Sequence, residues 1–549
     1  MARKARIAHL AGPDATIQNT PPLVTSNKAR AKYGLPPTRN PDGSAAQFDV
    51  LRAQRLAAPV KVYIEQFSAH PLEADAAALY GPPDGYVDEA GRVHKLRHHD
   101  SDKPVYEVEL RPEDGLYPLP YMARQADGST WEEECATPGA PDARARQGFF
   151  PDGARSFEEI DRLGVGINGL GNLISGKAQV EFFRVLPPGG YRGAGERRGT
   201  DFFPYKPFHL IAAPRRPALA RAANAVQQIL SSGKYDGAIW TEGSPSIEET
   251  IYWLNLLVDT SLPLCGNAAQ RPHGHLSDDG PKNIVDSVAY IASRVWADRS
   301  GRNRAGFVMV QEQQIFSARA VAKVDARPGG YEAAGGHGGI LGAAGHDGEP
   351  LLHYIPAFRH TYRSLVNITR LPARVRGVRK GPRGIERVDV RVKSAKGQLL
   401  ESAIPDVTIV RDASYAADSE DRVEAQVELL ASIDHKLSTT PLAGFVVEGW
   451  TPYGIVSSAA RETLLRRAIH SGLPAVRVGR GNTQGFAPVR HPYIGGSNLS
   501  ATKARLLLMA CMLKFGALPA AKDPDEPTPR ETKALAEALA KYQSVFDEH

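Results

Sequence analysis

Cysteine is nearly absent from this chain. Cys135, Cys265 and Cys511 form an odd, scattered trio among 549 residues. They make no C-x-x-C pair, so neither a disulfide scaffold nor a cysteine-based zinc site is expected, and all three are read as buried free thiols. Long apolar runs are missing too. None approaches the ~20 residues of a membrane-spanning helix, so no membrane partner is expected. The amino-terminal stretch Met1-Ala2-Arg3-Lys4-Ala5-Arg6-Ile7 is basic without an apolar signal core, and the expectation is cytoplasmic residence. A large excess of one charge is lacking as well: the net charge is +6, and the 23% of charged residues mix both signs. With 42% hydrophobic residues the chain can fill real cores, which excludes a disordered protein and points to two or more domains.

What is present reads as α/β. Residues 216 to 230 have the apolar spacing of an amphipathic helix, and Gly237-Ala238-Ile239-Trp240-Thr241 reads as the strand after it. Strand and helix then alternate to about residue 300, with a further strand at Ala305 to Val310, which favours a parallel sheet covered by helices. The pattern returns later. Val407 to Val410, Leu442 to Val447 and Ala475 to Val478 read as strands, and Arg422 to Ile433 and Ser458 to His470 as helices. Residues 39–150 differ, being rich in Pro, Asp, Gly and Arg, with short alternating runs at Val60 to Ile64 and Val105 to Leu110. They are read as a β-rich insertion. The division expected is a catalytic domain over 1–365, a basic hairpin and linker over 366–400, and a smaller α/β domain over 401–549.

In the linker, Arg374, Arg376, Arg379, Lys380, Arg387 and Arg391 alternate with Val375, Val378, Val388 and Val390 around Lys380-Gly381-Pro382-Arg383-Gly384. Period two gives a hairpin with one apolar and one basic face. Interleaved aromatics are missing, so it is read as a solvated surface or subunit contact, with no nucleic-acid partner. Three other motifs are set aside. Gly164-Val165-Gly166-Ile167-Asn168-Gly169 matches a dinucleotide fingerprint but follows a helix-like run rather than a strand. His94, His98, His99 and Asp100 have metal-ligand types without an H-E-x-x-H context and are read as solvated. Gly335-Gly336-His337-Gly338-Gly339 lacks the helix and lysine of a phosphate loop.

The most informative segment is Ser244-Pro245-Ser246-Ile247-Glu248-Glu249-Thr250, directly after the strand ending at Thr241. Ligands of open α/β sheets bind beyond the carboxyl ends of strands. Ser246 with Glu249 has the spacing of a capping box, which would open a helix here. Then follow Leu262-Pro263-Leu264-Cys265-Gly266, Ser277-Asp278-Asp279-Gly280-Pro281-Lys282-Asn283 and Val321-Ala322-Lys323. This ordered set resembles the asparaginase/glutaminase family of amidohydrolases over most of 234 to 345, and again over roughly 405 to 515. The later stretch carries Glu448-Gly449-Trp450-Thr451-Pro452-Tyr453-Gly454 and Asn498-Leu499-Ser500-Ala501-Thr502-Lys503-Ala504-Arg505.

The resemblance implies a two-domain α/β fold, a homotetramer with sites at a subunit interface, a small-molecule amide substrate, and hydrolysis without metal or cofactor. It also implies roles. The family's first-strand turn carries a nucleophilic Thr, matched by Thr16 in Ala11-Gly12-Pro13-Asp14-Ala15-Thr16-Ile17, a turn one residue longer than the family's. Tyr33 matches the lid tyrosine. The second Thr of the family is Ser244 here, its Asp is Pro245, and its Lys is Lys323. Amide hydrolysis needs a nucleophile, a proton acceptor and donors for the oxyanion. A hydroxyl is too weak an acid to react unaided, and a lysine of lowered pKa can serve as its base. Backbone N–H groups near Gly12 and Gly243 are candidates for substrate and oxyanion contacts. The carboxylate lost at Pro245 could be replaced by Asp14, Glu242 or Asp279. Arg271 and Asp279 are read as loop-bridging residues, with Asp279 alternatively orienting Lys323.

Pro245 bears on the substrate. In the family, the Asp at this place holds the α-ammonium of the amino-acid amide, and the second acid that a neighbouring subunit supplies has no match within Gly485 to Ser497. The expected substrate is therefore a carboxamide other than asparagine. The alternative is a catalytically altered member that acts as a ligand-binding or assembly protein.

Overall fold

In the computed structural model, the described residues are 5–11, 51–55, 60–64, 83–88, 93–110, 116–120, 180–185, 216–244, 246–271, 279–325, 329–334, 338–344, 349–382, 384–412, 422–450, 454–480 and 491–549. They divide into two compact units: residues 1–213 with 271–285, and residues 214–270 with 286–549.

In the first unit, the strand Ala5–Ala11 runs parallel to Val180–Val185, in a register that opposes Ile7 to Phe182 and His9 to Arg184. Ile7, Ala8 and Leu10 are fully buried. Between residues 39 and 150 the described elements are all strands. Val60–Ile64 pairs antiparallel with Lys103–Leu110, which also pairs with Gly85–Val87, and Leu51–Arg55 pairs with Leu116–Pro120.

The second unit opens with helix α1 (Ala218–Leu230), which buries Ala220, Ala222, Ala223, Val226 and Leu230. The strand Gly237–Thr241 follows and is buried along its whole length. A strand hidden on both faces must be apolar throughout, and this one is nearly so. Helix α2 (Ile247–Leu257) comes next, then the strand Leu264–Asn267, helix α3 (Gly280–Ser293), whose residues up to 285 are counted with the first unit, and the strand Val308–Gln311. Leu264–Asn267 pairs parallel with both neighbouring strands, opposing Asn267 to Thr241 and Cys265 to Val308. The last of these strands starts three residues later than the expected Ala305. Asn303 accounts for the delay: its side-chain oxygen accepts the N–H groups of Ala305 and Gly306 and holds the chain in a turn. Three antiparallel strands, Gln314–Ser317, Ile340–Ala343 and Leu351–Leu352, complete this side of the sheet.

A second, all-parallel sheet runs in the order Asp406–Arg411, Ala443–Gly449, Ala475–Gly479, Ile494–Gly495. Its helices are α4 (Val427–Thr439), α5 (Ala459–His470), α6 (Ala501–Phe515) and α7 (Pro529–Glu548). Ser458 and Ser500 cap α5 and α6 by accepting the N–H groups of Arg461 and Lys503. Helix α4 corrects the sequence reading, which began it at Arg422. Residues Val423–Ala425 form a 3-10 turn, and Gln426 leaves helical geometry at φ −81° and ψ 52° while its side chain accepts from Arg461 Nε at 3.1 Å.

The basic segment forms the expected hairpin, Arg374–Gly381 against Gly384–Arg391. Val375, Val378 and Val390 are buried, while Arg374, Arg376, Lys380, Arg387 and Arg391 are exposed. Gly377 is required here, because a Cβ would lie 2.7 Å from the Pro441 carbonyl oxygen. Cys265 and Cys511 are buried free thiols whose pKa burial pushes up, and Cys135 lies outside the described residues. Among the described residues no helix is long and apolar enough to cross a membrane.

Candidate functional site

The strand Gly237–Thr241 delivers the chain to Glu242, Gly243 and Ser244 at its carboxyl end. Glu242 is buried, and its two carboxylate oxygens accept from Trp240 Nε1 at 2.7 Å and Thr250 Oγ1 at 2.9 Å. These bonds tie the end of the strand to the first turn of α2. The Gly243 carbonyl then accepts the N–H groups of Ser246 at 3.1 Å and Ile247 at 3.2 Å, which turns the chain into the helix.

The expected capping box does not form. Ser246 occupies the cap position without a side-chain capping bond, its backbone being helical at φ −105° and ψ −23°, and its hydroxyl instead donates to the Gly243 carbonyl at 3.3 Å. A capping side chain reaches the N2 or N3 amide from an extended backbone, which Ser246 lacks. Glu249, the other half of the expected box, is paired with Arg505.

Ser244 is half-buried, and its carbonyl accepts the Tyr331 hydroxyl at 2.7 Å. Tyr331 sits in the short ladder Val321–Lys323 against Tyr331–Ala333, directly opposite Lys323. The Lys323 ammonium lies 5.0 Å from the centre of the Tyr331 ring. Cation and aromatic face attract at this range. The ammonium also donates to Gln270 Oε1, and the Lys323 N–H donates to Glu248 Oε2. Ser244 and Lys323 thus share Tyr331 as a neighbour, while the hydrogen bonds of the described residues include none between the Ser244 hydroxyl and the Lys323 ammonium.

Glu248 is the notable carboxylate of this cluster. Burial raises its pKa, and the Lys503 ammonium and the Lys323 N–H oppose that rise. The Lys503 side chain is buried, and desolvation lowers its pKa to about 8, against the nearby charges of Glu248 and Glu249. Neither Glu248, Gln270, Tyr331 nor Lys503 was singled out from the sequence. Glu248 had a signal in the Glu-Glu pair opening α2, and Gln270 in its position three residues past a strand end. Tyr331 had none.

Asp279 accepts the Arg271 N–H at 2.9 Å and the Asn283 amide at 3.3 Å, a local brace at the start of α3 consistent with the loop-bridging expectation. Thr16, Tyr33, Pro245, Gly12 and Asp14 lie outside the described residues, as do Gly164 to Gly169 and Gly335 to His337. His94 Nε2 pairs with Asp88 at 2.9 Å, and the exposed His98 and His99 give their backbone N–H groups to Asp102.

Residues 216–329 match the family described as Asparaginase, N-terminal. The chain is 31% identical over 173 residues to a "Probable L-asparaginase" of Deinococcus radiodurans, covering 30% of this chain and 49% of that protein. It is 29% identical over 154 residues to a "Glutaminase-asparaginase" of Acinetobacter glutaminasificans, covering 28% and 44% respectively. The chain therefore spans about half the length, or less, of these relatives. A solved structure, the "Probable Cytoplasmic L-asparaginase from Campylobacter jejuni", overlaps 72% of this chain and 91% of its own, at 19% identity and a TM-score of 0.45.

Proposed function

We propose that this chain, a divergent member of the asparaginase family, is an amidohydrolase that cleaves the C–N bond of a carboxamide other than asparagine. The observation that carries the proposal is the gathering of Ser244, Tyr331 and Lys323 beyond the Gly237–Thr241 strand, inside or beside the segment that matches the family.

The proposed nucleophile is the Thr16 hydroxyl. Its oxygen bonds to the carboxamide carbon, the C–N bond breaks, and ammonia departs carrying the hydroxyl proton. Water then hydrolyses the acyl ester, and the acid leaves with the Thr16 hydroxyl restored. Backbone N–H groups near Gly12 and Gly243 are the proposed oxyanion donors, which act best when fixed before the charge develops. Ser244 and Lys323 manage the protons. The Tyr331 ring and the Gln270 amide oxygen hold the Lys323 ammonium in place for this role. Tyr33 is the proposed lid residue, and Gly243 and Pro245 border the substrate. The same reading takes 1–365 as the catalytic domain with 39–150 inserted, 366–400 as linker and 401–549 as the second domain of a cytoplasmic homotetramer.

Ammonia release from a panel of carboxamides, followed by mass spectrometry of the acid-quenched enzyme, tests this reading. The expected result is turnover of at least one amide and an acyl adduct on Thr16. No ammonia from any amide overturns it in favour of a ligand-binding member of the family.

A further inference from the structure

We propose that Lys503 is a positioning residue, a buried cation that clamps the turn bearing Ser244 to the segment bearing Lys323; this rests on the hydrolytic reading of those two residues. Lys503 is the third residue of α6, and its side chain passes into the core, leaving 2% of the residue exposed. Its ammonium donates to the Glu248 carbonyl in the first turn of α2 and to the Ala318 carbonyl at 3.0 Å. Glu248 follows Ser244 closely in the chain, and Ala318 closely precedes Lys323. Two segments that carry proposed catalytic groups therefore meet at one nitrogen. A third tie closes the arrangement, since Glu248 Oε2 accepts the Lys323 N–H.

The groups facing the ammonium are Glu248, Glu249 and the Tyr252 ring from α2, and Arg319 from the turn beside Ala318. Arg505, also on α6, pairs with Glu249, so both glutamates opening α2 are engaged from the same helix. Helix α6 packs in turn on the strands Asp406–Arg411, Ala443–Gly449 and Ala475–Gly479 of the second sheet. An aliphatic side chain would fill this volume without removing a charge from water. What it could not do is donate in two fixed directions to carbonyls of separate segments. Displacement of a catalytic group by about 1 Å is enough to lower a rate on the order of 100-fold.

The test uses the full chain carrying Lys503→Met. Steady-state kinetics are run on whichever carboxamide the unmodified protein turns over, alongside hydrogen exchange of the peptide spanning residues 318–325. The expected result is a kcat lower by about 10- to 100-fold with KM changed less than about twofold. Exchange should become faster in 318–325 and stay unchanged in the strand Ala443–Gly449. Unchanged kcat with unchanged exchange overturns the clamp, as does faster exchange everywhere, which marks a general loss of stability. Should the methionine variant fail to fold, Lys503→Gln keeps a neutral amide NH2 on a shorter side chain and is expected to fall between the unmodified protein and Lys503→Met. Wild-type exchange at 318–325 in Lys503→Gln overturns the clamp. If the unmodified protein releases no ammonia, the hydrolytic reading fails, while the exchange experiment still decides whether Lys503 fixes the Lys323 segment.

Discussion

The Tyr331 hydroxyl donates to the Ser244 carbonyl at 2.7 Å, joining the turn after one strand to the partner strand of Lys323. Ser244 is thereby held through its backbone. Tyr331→Phe removes this bond and keeps the ring beside the Lys323 ammonium. A net loss of about 1 kcal/mol in stability is expected, with a kcat reduction of about tenfold if the turn drifts. Denaturant melts and steady-state kinetics read the two effects separately, and an unchanged kcat would show that the turn is held without the tyrosine.

Lys323→Met keeps the chain length and removes the amine. As a general base Lys323 should account for about two to four decades of kcat. A rise in KM at constant kcat would identify it as a binding residue instead.

Thr16→Ala should abolish turnover with a stability change of only ~1 kcal/mol, the net worth of one hydrogen bond. Near-normal turnover in this variant would remove Thr16 as the nucleophile.

The substrate prediction follows from Pro245. Without a carboxylate at that place, an α-ammonium entering the site would lose its hydration uncompensated, at a cost of several kcal/mol and orders of magnitude in affinity. Slow hydrolysis of L-asparagine and L-glutamine is expected, with faster hydrolysis of the same amides lacking the α-amino group. Pro245→Asp alone should not produce asparagine hydrolysis, because the sequence Gly12-Pro13-Asp14-Ala15-Thr16 also departs from the asparaginase pattern it resembles. An efficient specificity constant for asparagine in the unmodified protein would contradict this.

Lys503 gives a pH prediction. Its pKa falls from 10.5 to about 8 on folding, so between these values the unfolded chain carries a proton that the folded chain does not. Stability therefore rises with pH across this window, and its contribution is lost as pH falls through about 8. Relative to Lys503→Met, the unmodified protein should gain stability between pH 8 and 10.5, on the order of 3 kcal/mol at most. Urea midpoints of both proteins at pH 7.5, 9 and 10 give the difference, and parallel profiles would contradict it.

Local pattern carried much of the fold. The strand Gly237–Thr241 was legible because a strand buried on both faces is apolar throughout. The hairpin Arg374–Gly381 with Gly384–Arg391 was legible because one face is buried and the other wet. Where a tertiary contact intervened, the local reading slipped. Gln426 is pulled out of the helix it was assigned to while bonded to Arg461, and Ser246 turns its hydroxyl back to Gly243 instead of capping.

By itself the sequence determined the alternation of strands and helices over roughly 216–300 and 407–478, and the order in which a hydroxyl after the strand Gly237–Thr241, that of Ser244, and an amine further on, that of Lys323, follow an asparaginase-like pattern. Those features depend on neighbours a few residues apart, where side-chain period and turn chemistry are written directly in the chain. Only the tertiary structure decided what those residues meet. Lys323 finds Gln270 at a separation of 53 residues and Glu248 at 75, and Lys503 finds Glu248 at 255. No local period encodes such pairs. An ammonium's pKa and reach depend on which carbonyls, rings and carboxylates surround it once water is excluded, and folding alone assembles that shell.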